Sequence, residues 1–146
     1  MERNFSFAPN EYYHVYSRGV DKRNIFLDDD DKVYFQKLLF LANSTSEINM
    51  RNLPTGISVY DIVRDGTIVD IGKYVLMGNH IHLLLHEKQE RGISTFMAKL
   101  LSAYPKYFNK KAGRQGCLFD GRFKARHVDS DAYLHYLYAY ISLNPV

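Results

Sequence analysis

The chain is 146 residues long, 46% hydrophobic and 24% charged, the proportions of one soluble domain with one core. Its single cysteine, Cys117, excludes an internal disulfide and a multi-cysteine zinc site. No apolar run reaches the roughly 18 residues of a membrane helix, and MERNFSFAPNEYY has no apolar signal-peptide core, so the expected location is cytoplasmic with no membrane partner. The net charge of +3 is unevenly placed: residues 98–126 carry +7 and the rest −4, a concentration that attracts polyanions.

YYHVYSR, residues 12–18, has the tyrosine and valine content of a strand, closed by Arg18-Gly19. The acids Asp28 to Asp31 offer an N-cap and favourable charge at a helix start, a better account of them than a metal site. Phe35, Leu38, Leu39 and Ala42 follow at i, i+3, i+4 and i+7, one helical face. After the loop NMRNLPTGIS, Asp65-Gly66 lies between two β-rich runs and predicts a hairpin. IGKYVLM leads into a tight turn at Gly78-Asn79, and IHLLLHE is its partner strand. RGISTFMAKLLSAYPKYFNKK reads as a helix starting near Gly92 or Ser94, with Pro105 expected to kink or split it. CLFDGRFKARHV predicts a turn and a strand. Asp129, Ser130 or Asp131 caps a last helix, AYLHYLYAYISLN, ended by Asn144-Pro145. Leaving the extra hairpin aside, the order βαββαβ predicts an α+β, ferredoxin-like antiparallel sheet with an added C-terminal helix, in a single domain over 1–146.

His80 and His82 sit two apart in the strand after the turn, so both project to one side. Their nitrogens can reach one metal ion, leaving its other positions to a further side chain, water or substrate. His86 shares that face but lies about 13 Å beyond His82 at ~3.3 Å per residue, which makes it a surface or supporting residue. The last helix carries Tyr133, Tyr136, Tyr138 and Tyr140. Tyrosines and leucines at helical spacing usually pack on a sheet. Tyr140 differs because Asn144, a carboxamide, falls one turn later on the same face.

The basic segment interleaves Lys106, Lys110, Lys111, Arg114, Arg122, Lys124 and Arg126 with Tyr104, Tyr107, Phe108, Phe119 and Phe123. Cations and stacking rings suit single-stranded nucleic acid; a solvated helix face over core aromatics has the same composition. Arg122, beside a turn, is the expected phosphate contact, with an ion pair to Asp120 or Asp129 as the alternative.

NHIH, followed downstream by a helix bearing Tyr-x-x-x-Asn, resembles the HUH single-tyrosine transposases of insertion sequences. The likeness is strongest to the REP-associated tyrosine transposases. YHVYSRG at 13–19, NIFLDDDDKVYF, YVLMGNHIHLLL, GCLFDGRFKARHVDSDAYL and YISLNPV fall in the family's order. Gly78 stands where such proteins usually have proline, Phe119 where tryptophan is common, and the 48–70 segment is longer than usual.

The resemblance implies metal-dependent nicking and strand transfer of single-stranded DNA through a covalent 5′-phosphotyrosine. His80, His82 and Asn144 would hold Mg²⁺ or Mn²⁺, and Tyr140 would be the nucleophile. Lys106, Lys110, Lys111, Arg114, Arg122, Lys124 and Arg126 would track the DNA backbone. His14, on the first strand, would lie beside the histidine strand as a supporting residue. The partner implied is hairpin-containing DNA; monomer and homodimer both stay open. The competing readings are a hairpin-binding module that does not cut, a small metal-dependent hydrolase, and a replication initiator or relaxase-like nickase.

Overall fold

A computed structural model describes residues 6–50 and 53–143, the last three of these by backbone alone. In chain order they form β1 (Tyr12–Arg18), α1 (Asp29–Ala42), β2 (Asp70–Met77), β3 (His80–His86), α2 (Gly92–Ala112), β4 (Lys124–Val128) and α3 (Asp131–Leu143). The sheet order is β2-β3-β1-β4, with every neighbouring pair antiparallel. This is the split βαββαβ arrangement, followed by a third helix.

The helix starts follow from local chemistry. Asp28 caps α1 by accepting from the Asp31 amide at 3.0 Å, and Ser130 caps α3 through the Tyr133 amide at 3.1 Å. Glu87 caps α2, accepting from the Ile93 amide at 2.7 Å across six residues. A capping residue that far from its helix has no pattern in the sequence.

One face of the sheet is closed by α1 and α2. Phe35, Leu38, Leu39 and Ala42 of α1 pack with Phe96, Leu100, Tyr104 and Phe108 of α2 over Val15, Ile81, Leu83 and Leu85. The opposite face receives α3 through a smaller cluster of Leu137 with Val75, Leu84 and Val128.

Two expectations are corrected. Pro105 does not split its helix: α2 runs unbroken over 21 residues. Proline in a helix interior costs about 3 kcal/mol, and the buried residues on both sides of it, Leu100, Tyr104 and Phe108, offset that. The Asp65-Gly66 hairpin does not form. Val59–Asp61 is a short 3₁₀ turn, and Thr67 makes only an isolated bridge to Ser44. The Asn43 side chain accepts from the Ile68 and Val69 amides and donates to the Val69 carbonyl. These side-chain bonds, with backbone bonds from the Ile68 amide to the Asn43 carbonyl and from the Thr45 amide to the Gly66 carbonyl, take the place of the ladder a hairpin partner would have made.

Candidate active site

Alternation places the site. On β1, His14, Tyr16 and Arg18 share the face opposite the main core, and on β3, His80 and His82 do the same. The register sets Tyr16 opposite His82 and Arg18 opposite His80. The two imidazoles of β3 stand nearly perpendicular, with centres 4.9 Å apart. Metal–nitrogen bonds of about 2.1 Å would put two imidazoles on one ion at roughly that separation.

A hydrogen bond selects the His80 tautomer. His80 Nδ1 lies 2.7 Å from the Asn79 Oδ1, an atom that only accepts, so Nδ1 carries the proton and Nε2 the lone pair. His82 Nδ1 lies 2.9 Å from His14 Nε2; when Nδ1 donates, Nε2 of His82 is again the lone-pair nitrogen. This is the support that ligating histidines ordinarily receive. Burial, with the Arg126 charge, lowers His14 to a pKa of about 4. Burial, with His14 and His80 nearby, lowers His82 to about 4. Burial and the Arg18 charge also lower His80. All three rings are therefore neutral at pH 7, as metal ligation requires.

Helix α3 brings Tyr140 to these rings. Its ring meets that of His82 edge to face, with centres 6.0 Å apart, and it stacks on Tyr136 at 6.1 Å. A cleft of about 300 Å³ is lined by Tyr140, His80 and His82, by Tyr16, Ser17 and Arg18 of β1, and by Asp120, Arg122 and Lys124. Of the four α3 tyrosines, Tyr140 alone lines it. Tyr138 instead donates to the Gly72 carbonyl at 3.4 Å, and Tyr133 packs with the small apolar cluster. Tyr104 is fully buried, its hydroxyl donating to the Ile25 carbonyl.

The basic segment divides. Arg122 and Lys124 line the cleft, and Arg126 is exposed beside His14 in the β1–β4 register. Asp120 pairs with Arg18 at 3.1 Å rather than with Arg122. Lys106 and Lys110 are exposed on α2, which packs on the other face of the sheet. Lys111 is bound to Asp28 and Asp31 at 2.8 and 2.6 Å. Arg114 braces the following turn through Asn109 Oδ1 and the Cys117 carbonyl. His86 pairs with Asp70 at 2.9 Å, away from the cleft.

Asn144 lies outside the described residues. Among the described residues no three His, Cys, Asp or Glu side chains gather to hold a metal ion, and no helix is long and apolar enough to cross a membrane. Sequence reading missed Arg18, Tyr16 and Asp120. The first two were within reach, because alternation along β1 aligns positions 14, 16 and 18.

A family model described as transposase, IS200-like, matches residues 58–144. Among solved structures, a REP-associated tyrosine transposase bound to a REP hairpin superposes with a TM-score of 0.65 at 14% identity, over 99% of this chain and 72% of that one. A Deinococcus radiodurans R1 crystal structure with a provisional transposase assignment gives 0.54 at 14% identity, over 100% and 99%. At these identities the likeness shows a shared fold. No curated protein sequence matches the chain.

Proposed function

This chain belongs to the IS200-like transposase family, and on that premise we propose that it nicks single-stranded DNA and transfers the strand through a covalent 5′-phosphotyrosine. The observation that carries the reading is Tyr140 against His82 in a cleft shared with His80, Arg18, Arg122 and Lys124. The Tyr140 phenol gives up its proton as its oxygen bonds to phosphorus, the bond to the 3′ oxygen breaks, and that oxygen takes up a proton and leaves as a free 3′-OH. The reverse attack by this hydroxyl, or by another strand's, regenerates the phenol. The bond energy is kept in the phosphotyrosine, so no ATP is needed.

Two neutral imidazoles with Nε2 available suit a divalent cation, Mg²⁺ or Mn²⁺, with Asn144 as a third ligand. Bound there, the cation would polarise the scissile phosphate and absorb developing negative charge. His14 holds the His82 ring in its tautomer and orientation. Arg18, Arg122 and Lys124 hold the anionic backbone in the cleft. The solved relative is bound to a REP hairpin; we take hairpin-containing single-stranded DNA as the substrate here.

The test is a covalent-trapping gel with DNA labelled on the 3′ side of candidate cut sites, in Mn²⁺. A labelled band should survive SDS, require metal, and vanish in Tyr140→Phe and in His80→Ala. A band that persists in Tyr140→Phe would move the nucleophile to Tyr136. Tight, salt-sensitive binding with no band would replace the enzyme with a binding module.

A further inference from the structure

A second cleft, of about 520 Å³, lies at the edge strand β2. Its walls come from α1, β2 and the long segment between them, which the chemistry above does not use. Gln36 and Phe40 belong to α1, Tyr60 and Arg64 to the segment, and Lys73 and Tyr74 to the strand. The volume falls within the roughly 300–1,000 Å³ of ligand sites. Arg64 is the cation of the cleft and no carboxylate lines it, so its charge suits an anion; Lys73, paired with Leu84, turns its ammonium to the other face, over Tyr138. Its rings are open to solvent, Tyr60 at 51% and Tyr74 at 38%.

The groups are held in place. The Arg64 guanidinium lies over the Phe40 ring at 3.9 Å, and its Nη1 donates to the Phe40 carbonyl at 3.1 Å. That occupies one of five N–H donors and leaves the others for a ligand. Tyr60 meets Phe40 edge to face at 5.2 Å. Gln36 Nε2 donates to the Tyr74 hydroxyl at 3.2 Å, which leaves the Gln36 carbonyl oxygen to accept. The β2 ladder is interrupted between Ile71 and Lys73, an irregularity of the kind that re-aims strand side chains. Exposed rings and a fixed guanidinium match a base together with its phosphate.

We propose that this cleft binds an unpaired nucleotide of single-stranded DNA, with the base stacked on Tyr60 and the phosphate on Arg64. The proposal rests on the DNA reading of the histidine cleft. It extends that reading to a stretch of strand that is not cut. The two clefts are joined through α3: Tyr138 bonds the Gly72 carbonyl and lies under the Lys73 ammonium at 5.1 Å, two residues before Tyr140.

The test uses the whole chain and two probes. A fluorescent oligo-dT reports affinity, and the same oligonucleotide carrying 5-iodouracil reports contacts after irradiation and peptide mapping. Cross-links at the Tyr60 peptide are expected. Tyr60→Ala and Arg64→Gln should each weaken binding about tenfold, the loss of one stacked base, while Tyr60→Phe binds as wild type. Covalent adduct with saturating hairpin DNA should be unchanged in all three. Adduct formation with cross-links confined to the histidine cleft, and unchanged affinities, would overturn this site and leave the enzyme reading standing. Tyr60 cross-links without any adduct would keep the site and overturn the enzyme reading. No binding of either DNA would overturn both.

Discussion

The two faces of the sheet are built for different purposes. Under α1 and α2, Val15, Ile81, Leu83 and Leu85 are fully buried. Across the sheet, the neighbouring residues His14, Tyr16, Arg18, His80 and His82 line or support a cleft that α3 covers only in part. Strands β1 and β3 serve both faces because successive side chains point to opposite sides. The lesson is that the core and the candidate site are interleaved in sequence and separated in space. Adjacent substitutions should therefore have unlike consequences.

The largest effect is expected from Tyr140→Phe. Covalent adduct should fall at least about a thousandfold, as for loss of a nucleophile, with the melting temperature unchanged. A variant that also melts early would break the separation. On the proposed mechanism His80→Ala removes a ligand of the cation and should cost about a hundred- to a thousandfold in adduct rate, again with the fold intact. Leu83→Ala, beside His82 in sequence, should do the opposite. It should destabilise by about 3 kcal/mol in denaturant titration while adduct per folded molecule stays the same.

Asp31→Asn probes the joint between α1 and α2. The Asp31 carboxylate is fully buried and accepts from Tyr107, Lys111 and the Leu27 amide. Burial alone would raise its pKa; those bonds more than offset this and leave it below the usual value. A carboxyl held lower in the folded than in the unfolded chain stabilises above about pH 4, and that contribution is lost as pH falls through the folded value. The variant should be about 2 kcal/mol less stable at neutral pH. Its difference from wild type should close below about pH 4, as chemical denaturation across pH would show. The smallest effect separates the basic residues. Arg122→Gln should reduce the salt slope of single-stranded DNA binding by about 0.7. Lys111→Gln should leave the slope unchanged, because its charge is taken up by two aspartates; an equal reduction would return α2 to the DNA surface.

Much of the fold could be read from short-range pattern. Strand 12–18, the buried face Phe35-Leu38-Leu39-Ala42, the Asp28 cap and the turn at Gly78-Asn79 each depend on residues within a few positions of one another. The failures were of the other kind. Asp65-Gly66 carries a hairpin signal, but the Asn43 side chain captured the amides that a hairpin would have paired. Pro105 carries a break signal that core packing overrode. Lys111 and Arg122 look alike in a basic run; only the placement of Asp28 and Asp31 distinguishes them.

The sequence by itself determined which side chains share a strand face or a helix turn, because those periods, 2.0 and 3.6, are properties of the backbone. It therefore determined that His80 and His82 share one strand face. Only the tertiary structure decided that His14 supports His82, that Arg18 joins the cleft, and that Tyr140 rather than its three helix neighbours reaches the histidines. Those contacts span 58 to 102 positions of chain, and they depend on sheet register and on where α3 settles, which no local pattern encodes.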